Sequence, residues 1–178
     1  MSGNQAQLTG RAEALREAFD RSFAQPPALE AVRTENLLAI RVVGNPYALR
    51  VAEIAGLFAD KAVVPVPSAV PELLGVSGLR GAIVPVYDLA ALLGYPARAE
   101  ARWMVLARSR EALALAFGMF EGQLVVSLQD AISTAGERPR ERGAVRAAGG
   151  LRPIVHLPTV LDDIHKRVEA TRSNRKEA

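Results

Sequence analysis

The sequence predicts an antiparallel β protein, a barrel or a sandwich, with helices only at its two ends. Three observations lead there. Most apolar residues come in short runs broken by Gly, Pro, Asn and Asp, as at Gly44-Asn45-Pro46 and around Pro65, Pro67 and Pro71, which is the punctuation of strands and turns. Helical spacing stands out only in Leu8, Leu15, Phe19 and Phe23 near the start and in Val160, Leu161 and Ile164 near the end. The third observation is the unbroken run Ala82-Ile83-Val84-Pro85-Val86. It is too short for an ordinary helix, contains a proline, and puts apolar side chains on both faces, so the strand is expected to be covered on both sides. A small β protein achieves that where two sheets or barrels share a core.

Taken in order, Gln7 to Phe23 predicts an amphipathic helix stopped by Pro26-Pro27, with Arg11, Glu13, Arg16, Glu17 and Asp20 on its other faces. Leu38, Ile40 and Val42 alternate with Ala39 and Arg41 as a first strand, and Tyr47 to Val51 returns after the Gly44-Asn45-Pro46 turn. Ile54 and Leu57 continue the apolar pattern, and the prolines that follow Val63-Val64 confine that piece to an edge or a connection. After the 82–86 strand, Asp88 is placed to cap one or two helical turns that end at Gly94. Trp103 to Ala107 and Leu113 to Phe120 read as a hairpin, with Gly118 and Gly122 marking a kink or bulge, and Leu124 to Leu128 as a further strand. Val145 to Ala148 and Ile154 to Leu157 close the β part, and a short helix around Val160 to Ile164 leads into a polar tail. One internal echo stands out. Ile83-Val84-x-Val86-x-x-Leu89 is matched by Ile154-Val155-x-Leu157-x-x-Val160, so a strand leading into a helix occurs twice and two similar halves are expected.

Chemistry is scarce. The 178 residues hold no cysteine, which removes disulfides, thiolate metal sites and a cysteine nucleophile, and fits the cytoplasm. His156 and His165 are not spaced as metal ligands, and no Gly-x-Ser-x-Gly, phosphate loop or dinucleotide fingerprint occurs. Asp162 and Asp163 diverge by about 100° on a helix and do not make an acid–base pair. No enzyme, metal or cofactor is therefore expected. No apolar run approaches ~18 residues, so no membrane insertion is expected. A net charge of only +3 is a weak argument for a polyanionic partner, and an aromatic content of 5% leaves few stacking platforms for nucleic acid. The Arg-rich stretch from Arg138 to Arg152 is the best case for it, but Glu137 and Glu141 dilute that charge.

The order G-V-x-x-L-R-G-x-I-V-P-V-x-D-L-x-x-L-L-G from Gly75 to Gly94 resembles the CheW-like family, the coupling proteins of bacterial chemosensory arrays, and the likeness runs from about Asn36 to Lys166. It implies a mainly β fold of two interlocked five-stranded SH3-like barrels over 36–168, with an N-terminal helical extension over 1–35, a short C-terminal helix and a polar tail over 169–178. It also implies a cytoplasmic, non-enzymatic adaptor with two partners, a CheA-type histidine kinase and a methyl-accepting chemoreceptor, and with no small-molecule substrate. By the same resemblance, Arg80 of the L-R-G motif contacts partners, and Ile54, Gly56, Leu57 and Phe58 form the kinase-facing surface. The alternatives are an adaptor of a twitching or gliding system and, in another class, a basic nucleic-acid-binding barrel. Three departures point to a specialised paralogue. Gly56 stands where the family usually has Glu, Ser77-Gly78 replaces an apolar residue and Asn, and Phe120 replaces an Asp.

Overall fold

Two antiparallel strands, β1 (Thr34–Val42) and β2 (Asn45–Arg50), open the computed structural model, which describes residues 34–96, 101–127, 131–132, 140–147 and 150–176. The helix expected from Gln7 to Phe23 lies outside these residues, as do Glu137 and Arg138 of the charged stretch. Val42 pairs with Asn45, leaving Val43 (φ 50°) and Gly44 (φ 78°) as a two-residue turn in the left-handed region that such hairpins use. The sequence predicts this turn one place later. Pro46 belongs to the strand because the next pair, Arg41 with Pro46, is a non-hydrogen-bonded one, so proline forfeits no bond to β1 there.

A 3₁₀ turn, Val51–Glu53, carries the chain into a second sheet, beginning with β3 (Ile54–Ala59). The proline-rich connection touches that sheet through one bridge, Val64 to Val76. Next come β4 (Leu73–Leu79) and β5 (Ala82–Asp88), then the single turn α1 (Leu89–Leu92). Asp88 caps α1 as expected, its Oδ1 accepting the Ala90 N–H at 2.9 Å, and Gly94 (φ 88°) follows the helix. β6 (Trp103–Ala107) and β7 (Ala114–Phe117) complete this sheet. The strand expected from Leu113 to Phe120 is broken at Gly118, after which β8 (Met119–Ser127) returns to the first sheet. β9 (Ala131–Ile132), β10 (Glu141–Ala147), β11 (Gly150–Val155) and α2 (Leu157–Lys176) finish the fold. The terminal helix thus runs 20 residues, longer than the short helix and polar tail read from the sequence.

The first sheet has the order β8-β1-β2-β11-β10-β9 and the second β3-β6-β7-β5-β4. Each sheet turns one face to its own small core and the other to a shared one. Leu37, Ala48, Val145 and Ile154 fill the first sheet's core, and Leu79, Val84, Val86 and Met104 help fill the second's. The shared core takes Leu38, Ile40 and Leu49 from the first sheet, Val105, Leu115 and Phe117 from the second, and Leu89, Leu92, Leu157 and Ile164 from the helices. β5 is covered on both faces only from Val84 onward. Ile83 is 80% exposed, because its cross-strand partner is Gly78, which offers no side chain to pack against.

The internal echo is real but three places out of register: Val86, not Ile83, corresponds to Ile154, and each pairs in parallel with an earlier or later strand, Val86 with Ala114 and Ile154 with Ala48. In the same frame Asp88 and His156 both cap helices that begin at Leu89 and Leu157. Around α2 all the first-turn backbone groups are satisfied. The Leu157 N–H goes to Glu53 Oε2 at 2.9 Å, Pro158 has none, the Thr159 N–H reaches His156 Nδ1 at 3.3 Å, and the Val160 N–H reaches the His156 carbonyl at 3.3 Å.

The halves differ at one buried point. Where the first-built unit has Val84, the second has Arg152, which is 4% exposed. Glu121 answers it at 2.5 Å and also accepts from Arg41 Nε at 2.6 Å. Glu121 is available because it is the extra residue of a bulge, between Phe120 opposite Ile40 and Gly122 opposite Ala39. Burial pushes its carboxyl pKa up, but the two guanidinium hydrogen bonds outweigh that and hold it below the ordinary value.

Two outcomes are expected. Glu121→Gln leaves Arg152 buried without a counter-charge; because Glu121 is partly exposed, the loss should be about 2 kcal/mol, below the ~3–5 of a fully buried pair, read as a lower urea midpoint. Burial, helped by Arg142 and Arg50, pushes the His156 pKa below the ordinary imidazole value of 6.5, while Glu53 and Asp162 oppose the shift. The folded chain then binds fewer protons than the unfolded one, so this stability is complete above pH 6.5 and is lost as pH falls toward the folded value. His156→Asn keeps a capping acceptor and should flatten the urea midpoint between pH 7.5 and 5.5; an unchanged slope would assign it to other groups.

Candidate partner-binding site

β3 pairs Ile54 with Ala107 and Gly56 with Leu106, so Ala55 is an extra, bulged residue. The bulge resets the alternation. Ile54 and Leu57, three apart, both face the shared core, Ile54 at 7% exposure, while Phe58 packs against the second sheet's own core. Gly56 and Phe58, two apart beyond the bulge, lie on one face.

Arg80 sits in the turn of the β4–β5 hairpin. Leu79 pairs with Ala82, leaving Arg80 (φ 49°) and Gly81 (φ 79°) as the two turn residues. A non-glycine residue there costs about 1 kcal/mol, and it carries the side chain clear of the sheet. The Arg80 Cζ lies 5.9 Å from the centroid of the Phe58 ring, within range of a cation–π contact. Since β3 and β4 are the two edges of their sheet, this contact means the sheet curls until its edges meet. Gly75 (φ 149°) helps it do so: a Cβ there would stand 2.1 Å from the Val64 carbonyl oxygen, so only glycine lets the bridge at Val64 form.

Of the five site residues read from the sequence, then, the fold brings Gly56, Phe58 and Arg80 together and turns Ile54 and Leu57 inward. Phe58 is half-buried, with its ring resting on the core and in contact with the guanidinium. Among the described residues no carboxylate pairs with Arg80. Asp60, also on this side of the sheet, is already engaged by Arg102 at 3.0 Å. Sequence reasoning missed the exposed Ile83 on the same hairpin; the signal was Gly78, which a two-residue turn at Arg80-Gly81 sets opposite it.

Elsewhere the chemistry is sparse. A groove of about 680 Å³ runs between the Pro67–Val70 segment and α2, but no His, Asp or Glu lines it, and burial pushes the Tyr87 hydroxyl there up, so it stays protonated despite Arg172. Among the described residues no three His, Asp or Glu side chains gather for a metal ion, and no helix is long and apolar enough to cross a membrane. The arginines that made the case for nucleic acid are partly spent internally. Arg140 binds Asp163 at 2.7 Å and Arg152 is buried on Glu121.

Phe120, expected to add apolar surface, instead packs partly against the shared core, its ring 5.2 Å from that of Trp103.

A family model described as CheW-like domain matches residues 36–165. Among solved structures, the chain is similar to the scaffolding protein TtCheW from Thermoanaerobacter tengcongensis, at 14% identity and a TM-score of 0.63, over 70% of this chain and 90% of that one. Identity this low speaks to the fold. No curated relative matches the sequence.

Proposed function

The chain belongs to the CheW-like domain family, and from that we propose that it is a non-enzymatic cytoplasmic adaptor that couples chemoreceptors to a CheA-type histidine kinase in a bacterial chemosensory array. One observation carries the reading: Arg80, in the β4–β5 turn, comes against Gly56 and Phe58 of β3, far from it in sequence, and there the guanidinium has no carboxylate partner among the described residues. A planar cation held on an aromatic ring is suited to a partner's carboxylate or carbonyls, because its donors keep a fixed fork. Neither the Arg80 edge nor the groove beside α2 carries a base beside a nucleophile, so both can bind and neither supplies catalysis.

The departures at Gly56 and Ser77-Gly78 support a specialised paralogue. Ser77 is buried and Gly78 leaves Ile83 uncovered, so both alter the hairpin that presents Arg80. Discrimination among partners is a difference of affinities, and changes on one hairpin act on the same contact.

Arg80→Ala should leave the circular dichroism spectrum and urea midpoint unchanged, since an exposed turn arginine contributes little to stability. It should weaken binding to the regulatory domain of the CheA-type kinase from the same genome about tenfold or more, as expected of an anchoring arginine. Normal binding by the folded variant would remove Arg80 from the contact.

A further inference from the structure

We infer that Gly56 determines which partners the Arg80 edge accepts: with no side chain at this position, the guanidinium rests against Phe58 with no counter-charge among the described residues, so the edge selects a partner that brings its own carboxylate. This inference rests on the adaptor reading above and names the chemistry of the contact.

Gly56 is there for space. It lies in ordinary strand backbone, with no left-handed φ that would call for glycine. A Cβ built on it would stand 3.0 Å from Arg80 Nη2 and 3.0 and 3.1 Å from Phe58 Cε2 and Cζ. Both neighbours are then too close. Any side chain at 56 therefore makes both the guanidinium and the ring give by a few tenths of an ångström, which disturbs their contact, and a carboxylate in that place would also be within reach of Arg80 inside the chain. The cation–π contact costs the guanidinium none of its in-plane donors, whereas an internal salt bridge would occupy them. Contact with Phe58 also limits the rotamers that Arg80 must give up on binding, which raises affinity without adding a contact.

The variants divide the possibilities. Gly56→Ala disturbs the contact with the ring without supplying a charge; Gly56→Glu disturbs it and supplies a carboxylate to pair with Arg80; Phe58→Leu keeps apolar packing and removes the ring. With the full chain, the Arg80 Nε–H proton is followed by nuclear magnetic resonance, and affinity is titrated with the regulatory domain of the CheA-type kinase from the same genome. In the wild type the Arg80 proton should be shifted by the ring current of Phe58, and the shift should vanish in Phe58→Leu and be partly lost in Gly56→Ala. Those two variants should bind severalfold more weakly. Gly56→Glu should bind about tenfold or more weakly, with a shallower dependence on salt. The double variant Gly56→Ala/Arg80→Ala should bind no more weakly than Arg80→Ala alone, because Gly56 acts through Arg80. If Gly56→Glu does not fold, Gly56→Ala carries the test through the reduced shift and the weaker binding. Wild-type affinity in the folded Gly56 variants, with Arg80→Ala still impaired, overturns the role of Gly56 and leaves the adaptor reading standing. Wild-type affinity in Arg80→Ala overturns the adaptor contact itself.

Discussion

The structure depends on a shared core that both sheets must fill at once. Leu38, Ile40 and Leu49 from one sheet meet Val105, Leu115 and Phe117 from the other, and the opposite face of each sheet closes around a smaller core of its own. A strand in such a sheet has no solvent face along much of its length, so it cannot alternate polar with apolar. The residues proposed for the partner contact accordingly lie where the strands stop: at a hairpin turn, a bulge and an edge. Arg80 is in a turn, Gly56 follows a bulge, and Phe58 is on an edge strand.

How much of this could be read in the sequence follows from the same constraint. The strands with strong local signals, β1, β2, β5 and β6, and the cap at Asp88, were legible because each depends on residues a few places apart. The turn at Val43-Gly44 was missed by one residue because proline usually marks a turn, and only the pairing of Arg41 with Pro46 shows why it is tolerated in the strand. Ile83 was taken as covered because Gly78 stands opposite it only once the turn is placed at Arg80-Gly81. The length of α2 was underestimated because its later turns carry mostly polar residues, and the packing of Val168 on the shared core lies among them. At the site, five residues were named from a family resemblance; that Ile54 and Leu57 turn inward is set by the bulge at Ala55, a property of pairing rather than of composition.

The two halves also show how a repeated architecture diverges without losing its form. Asp88 and His156 occupy the same capping place, one a carboxylate and the other an imidazole. Val84 and Arg152 occupy the same interior place, one apolar and the other a cation that needs Glu121 from a bulge on β8. The second solution makes one small core dependent on an ion pair, while the matching place in the first, across from the buried Ser77, holds no charge. A buried ion pair does not by itself mean greater stability; here it ties β8, β1 and β11 across the first sheet through Glu121, Arg41 and Arg152.

The chain passes from the first sheet to the second at the 3₁₀ turn Val51–Glu53 and returns at Gly118, and every strand of the second sheet lies between those two points. In topological terms the second sheet is an insertion carried by the first, whose own strands are split between the two ends of the chain. No single cut separates them. Exchanging the Arg80-bearing sheet between related proteins is therefore a cassette operation with two junctions, and Glu53, which holds the N-terminus of α2, marks the first of them. A graft that keeps Glu53 with its recipient preserves the anchoring of that helix, while one that moves it detaches a feature of the host rather than of the insert.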